Sequence, residues 1–291
     1  MKKIFAILYK LFSPLILWMA LLFFMTVLHP TILDKAVKIL NLPNEQSGIE
    51  AAIIFMELIP LFLIAKALPD TWKDGEGIQA ISLKEVGLLI LVAIGLVIFS
   101  EMIRGLVQER LYTKMSHPFT LPDLVGEEVT LQNMMQFSNG RTFLITVLLD
   151  PILEEMVFRY FMNLPYRSRG WRIFGFFVST FFFAITHGYE ASRVVATLIS
   201  GAGFYFFYKA TKNLSMSIAL HMAFNLMATV FLALSIKFPL FNAYKKGGKI
   251  AYSSLTAPVA IQIIFILLGL VAGYHFLKWY GKRTPLSTGN P

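Results

Sequence analysis

Long apolar runs at 4–28, 52–68, 86–108, 142–164, 172–187, 193–210, 214–236 and 257–280 occupy most of the chain. A helix satisfies its own backbone hydrogen bonds, so apolar runs of about 20 residues are what a chain needs to cross a bilayer. Ten-residue stretches of alternating polarity, the mark of a membrane barrel, are not visible. The expected fold class is therefore all-α: a polytopic membrane protein built as a bundle of about eight transmembrane helices. The runs at 172–187 and 193–210 are short for a span, which leaves their ends soft. The first run is too long for a cleaved leader and no small-residue site follows it, so it is read as a retained helix.

Charged residues make up 15% of the chain, against about 25% in ordinary soluble domains. The net charge of +9 lies mostly between the apolar runs, which points to membrane lipids with anionic headgroups and away from nucleic acid. The chain has no cysteine, so disulfides, thiolate metal sites and a cysteine nucleophile are excluded. An even number of spans puts both ends on one side. Arg167, Arg169 and Arg172 in one short loop favour cytoplasmic N- and C-termini. A lysine-rich, cysteine-free chain of this kind suits a bacterial cell membrane. Three regions are expected: 1–135, N-terminal helices with an amphipathic loop; 136–236, the core that holds the polar residues; and 237–291, a last helix with a polar tail.

Ionisable groups within a span cost about 2.5–3.5 kcal/mol each on insertion scales, so they need partners or a wet cavity. The densest set lies in DPILEEMVFRYFM, from Asp150 to Met162. Asp150 suits a helix N-cap with Pro151 in the first turn; alternatively Pro151 kinks a continuous helix. Glu155 and Arg159 are four apart and can pair, while Glu154 is rotated about 100° from Glu155. Arg159 then neutralises one carboxylate and leaves the other as a candidate base. A buried pair that only fixes packing is the structural alternative. His187 ends the next apolar run, with Phe183 one turn back and Gly188 as a helix stop. His221 and Asn225, four apart in a third run, face one way. They can act as convergent oxyanion donors or as an interhelical clamp. Convergence of the three segments on one cavity would satisfy all these groups together.

Elsewhere Glu101 and Arg104 are expected to pair, Lys10 and Lys278 to snorkel, and Glu57 and Lys66 to stay apart. His29, His117 and His275 receive no role. Glu127 and Glu128 have no arginine at the matching offset. GxSxG, HExxH and phosphate-loop motifs are absent from the sequence. Ser179 and Ser215 have no base at a telling spacing.

The ordered set Glu154-Glu155-x-x-x-Arg159, Phe183-x-x-x-His187 and His221-x-x-x-Asn225 resembles the CPBP/Abi family, which includes the CAAX prenyl endopeptidases. The likeness covers roughly residues 140–235. It implies an eight-helix intramembrane endopeptidase in which Glu154 activates water with the help of His187. It further implies that His221 and Asn225 hold the oxyanion and that Glu155 and Arg159 give support. As cofactor it leaves either none or one divalent metal, such as zinc, on Glu154, His187 and His221. The metal-free version is favoured because asparagine is a poor zinc ligand and a good oxyanion donor. The implied substrate is a membrane-associated or lipidated peptide or protein. A non-catalytic immunity or regulatory protein on the same scaffold and a proton-coupled transporter are the other classes compatible with buried charge.

Overall fold

The structure, a computed structural model, describes residues 80–114, 144–166, 168–188, 191–237, 245–246, 249–250 and 259–283, with isolated positions 7 and 16. The expected spans at 4–28 and 52–68 and the polar stretch after residue 114 lie outside the described residues, as do Glu57, Lys66, His29 and His117. The described residues are helical apart from one short hairpin. Six helices are present: α1, Leu83–Lys114; α2, Asp150–Glu154; α3, Arg172–Thr186; α4, Ala191–Thr211; α5, Leu214–Lys237; and α6, Val259–Arg283. The hairpin pairs β1, Lys245–Lys246, with β2, Lys249–Ile250.

Among the described residues three helices contain segments long and apolar enough to cross a membrane: Leu83–Val107 in α1, Leu214–Phe231 in α5 and Ala260–Gly281 in α6. The protein is thus an integral membrane protein. The expected eight spans are not reached among the described residues. The 15-residue α3 falls short of the length a span requires.

The described residues fall into two compact units, one containing those from 144 to 182 and the other those from 80 to 114 and from 183 to 283. In the second unit α1 packs against α4, α5 and α6, and α4 packs against α5. The start of α1 is set by a reciprocal cap. The Ser82 N–H and Oγ–H both donate to Glu85 Oε2 at 2.6 Å, and the Glu85 N–H returns to Ser82 Oγ at 3.4 Å. The expected Glu101–Arg104 pair forms at 3.7 Å.

Helices α1 and α6 touch backbone to backbone. A Cβ on Gly95 would lie 2.8 Å from Gly269 Cα, and one on Gly269 would lie 2.7 Å from Gly95 Cα. Only glycine permits this approach, which in lipid replaces hydrophobic driving force with dispersion contact. Lys84 over the Trp279 ring at 4.9 Å marks the same antiparallel register. The far side of α6 leaves Ile264, Leu267, Leu268, Val271 and Tyr274 exposed, as a lipid-facing helix does.

Between α4 and α5 the chain reverses in two residues. Lys212 adopts φ 52° and donates its N–H to the Tyr208 carbonyl at 2.8 Å, closing α4. Asn213 then caps α5, its Oδ1 accepting the Ser215 N–H at 3.0 Å. Its Nδ2 reaches Tyr280 Oη at 3.5 Å, which ties the turn to the end of α6.

Candidate active site

In the first unit the chain from 144 to 166 stays helical but changes pitch repeatedly. A π-helical turn, Leu144–Leu149, leads into α2; a second, Glu155–Tyr160, follows; a 3₁₀ stretch, Phe161–Tyr166, ends the run. Leu149 is itself in the helical region and no side chain caps α2. Asp150 is therefore not an N-cap, and Pro151 sits within a continuous run, as the kink alternative requires. Proline has no N–H and its ring crowds the carbonyl four residues back, so a widened turn before it relieves a clash that a regular helix could not.

The second π turn carries the acidic pair and the arginine. Arg159 Nε–H donates to Glu155 Oε2 at 3.1 Å, with both side chains wholly buried. Arg159 Nη1–H donates to Ser179 Oγ at 3.0 Å, and the Ser179 hydroxyl donates to the Phe158 carbonyl at 2.7 Å. That carbonyl also accepts Asn163 Nδ2–H at 2.8 Å. The irregular helix thus presents one main-chain oxygen to two side-chain donors, and the serine hydroxyl bridges that oxygen to the guanidinium. Ser179 is committed to structure by these two bonds. Glu155 is engaged by Arg159 and closed from solvent. Its neighbour Glu154 is half-buried, the more accessible of the two carboxylates.

In the second unit His187 follows the last turn of α3. Its Nδ1 lies 2.8 Å from the Phe183 carbonyl. A carbonyl only accepts, so Nδ1 carries the hydrogen, and the neutral ring has its lone pair on Nε2. Gly188, at φ +131°, ends the segment in a conformation that side chains disfavour. His221 lies on α5, buried, with its ring stacked on Phe204 of α4 at 4.3 Å and 22°. Phe183 meets both imidazoles: His187 at 4.5 Å and His221, edge-on, at 5.6 Å. The two histidines therefore gather around one phenylalanine. Asn225 is half-buried one turn beyond His221 on α5, and its carbonyl accepts the Thr229 hydroxyl at 2.8 Å.

Residues 138–227 match the family model of the type II CAAX prenyl endopeptidase Rce1-like proteins. This stretch is similar to an Rce1-like domain. All six site residues read from the sequence fall inside it, and it bears out the likeness to the CAAX protease family. The Rce1-like match takes in residues of both compact units. No curated protein and no solved structure matches the chain.

The structure brings together Glu155 with Arg159 in one unit and His187 with His221 in the other. Among the described residues no three His, Asp or Glu side chains are grouped as a metal site. Two residues of the matched stretch make contacts that their spacing does not reveal. Ser179 bridges Arg159 to the Phe158 carbonyl. Phe204 is one of 27 phenylalanines, and nothing in its neighbourhood of sequence marks it.

Proposed function

We propose that the protein is an intramembrane endopeptidase that hydrolyses a peptide bond of a membrane-associated, lipidated protein. The Rce1-like match over residues 138–227 carries this reading, because it spans Glu154, Glu155, Arg159, His187, His221 and Asn225.

Water attack on a peptide carbonyl requires a base, an orienting partner for the water and donors for the oxyanion. Glu154 is the base, since Glu155 is held by Arg159. The tautomer of His187 supports an accepting role at Nε2, which turns one water hydrogen away and aims the oxygen lone pair. His221 and Asn225, one turn apart on α5, donate to the oxyanion. Proton return from Glu154 to the amine completes the cut. Glu155, Arg159 and Ser179 hold the helix that presents the base. The substrate enters from the membrane surface, and both termini lie on the cytoplasmic side.

The test is release of the C-terminal tripeptide from an S-farnesyl peptide ending in cysteine, two aliphatic residues and a terminal residue, followed by mass spectrometry. Purified protein in detergent should cleave it after the prenylated cysteine. Glu154→Gln and His221→Ala should each lose roughly 100-fold or more while remaining folded. Full activity in both variants would remove the assignment. Cleavage that needs added zinc after chelation would replace the metal-free scheme.

A further inference from the structure

We infer that Phe204, a residue outside the three motifs, is the positioning residue that fixes the His221 imidazole. The functional half of the inference rests on the hydrolytic role proposed for His221; the geometric half does not.

An oxyanion donor works only if its N–H already points where charge will develop. Histidine has two free side-chain torsions, and a helix fixes neither ring direction nor ring tilt. Something must clamp the plane. For His221 the clamp is aromatic. Phe204 lies nearly parallel to the imidazole at 4.3 Å and 22°, covering one face. Phe183 meets the same ring at 5.6 Å and 75°, an edge contact from another direction. A rotation about χ2 would drive the imidazole edge into the Phe204 face, so the ring keeps its plane.

Phe204 is itself held. It is fully buried, edge-on to Phe183 at 6.1 Å and to Phe224 at 5.5 Å. Its carbonyl accepts the Ser217 hydroxyl at 3.0 Å. Ser217 precedes His221 by four residues, so both project from one face of α5. Phe204 therefore presents its carbonyl to one turn of α5 and its ring to the next. The hydrogen bond sets the register of α4 against α5, and the stack sets the imidazole within that register.

The test uses protein labelled with ¹³C- and ¹⁵N-histidine in detergent micelles, with the His221 signals assigned by loss in His221→Gln. The variants are Phe204→Leu, Phe204→Tyr and, as a packing control, Phe207→Leu, whose ring packs on Phe276 of α6 at 5.6 Å. Wild-type His221 ring protons should be shielded by the stacked phenyl. In Phe204→Leu they should move to an unshielded position, and in Phe204→Tyr they should return. On the farnesyl peptide, Phe204→Leu should lose roughly 10- to 100-fold in kcat with KM little changed, and Phe204→Tyr should recover most of it. An unmoved His221 signal in Phe204→Leu overturns the inference. So does full kcat in that variant, or an equal loss in Phe207→Leu, which would make the effect general packing. If wild type cleaves no peptide, the proteolytic reading falls by itself, and the ring-proton shift alone decides whether Phe204 orients His221.

Discussion

Arg159 donates its Nε–H to Glu155 Oε2 at 3.1 Å across one turn, with neither side chain exposed. A pair so placed is costly to break because the surviving partner keeps its charge without compensation. Arg159→Met should therefore destabilise the protein by about 3–5 kcal/mol. The double variant Glu155→Gln with Arg159→Met should recover part of that loss. Unfolding in mixed micelles with rising SDS checks the order of the three proteins. Equal stability of Arg159→Met and wild type would mean the pair is not closed from water.

The Gly95–Gly269 crossing predicts a second effect. A methyl at either position meets opposing backbone at 2.7–2.8 Å, so α1 and α6 must separate. Gly95→Ala and Gly269→Ala should each cost about 1–3 kcal/mol, the range for forced overpacking. The double variant should cost less than the sum, because one separation accommodates both methyls. The same SDS titration measures it, and strict additivity would contradict a shared contact.

Tyr166 gives a pH prediction. Burial pushes its hydroxyl up to about 12 from an ordinary value near 10. The folded protein then keeps a proton that the unfolded chain gives up. Its contribution to stability is complete below about pH 10 and is lost as pH rises through about 12. Absorbance at 295 nm should show a late-titrating tyrosine that Tyr166→Phe removes. An unchanged titration curve in the variant would refute the shift.

A cysteine-free chain lends itself to proximity measurement, since every thiol introduced is known. The proposed base must stand within one bridging water of the imidazoles. Glu154→Cys combined with His221→Cys, and Glu154→Cys combined with His187→Cys, should each be joined by a short bifunctional thiol reagent. The cross-link reads out as resistance to separation after a single cut engineered between the two positions. Failure of both pairs, with each single cysteine reactive, would dismantle the catalytic arrangement.

Local spacing made part of this protein legible. Glu155 and Arg159 pair because four residues make about one turn, Glu101 and Arg104 do so at three, and Gly188 stops α3 where the apolar run ends. The Ser82–Glu85 cap is equally local and could have been read from S-x-x-E. Pro151 was ambiguous because a capped start and a kinked interior demand the same residue; only the backbone of Leu149 decides between them. The Gly95–Gly269 crossing and the Phe204–His221 stack join residues far apart or unmarked in sequence, and no periodicity encodes which phenylalanine meets which histidine. The number of spans was not legible either. Hydropathy finds apolar runs but not whether a run of 15 to 18 residues crosses lipid or stops within it.

The wide turn from Glu155 to Tyr160 has an evolutionary reading. A π turn is a regular helix that has swallowed one extra residue without breaking. Deleting one residue there would restore a regular turn and leave the residues after it on nearly the same face, whereas the same deletion in a regular helix would swing them by about 100°. When sequences of this kind are aligned, a one-position gap at this point should be scored as a bulge lost within the helix, not as a loop shortened at the surface.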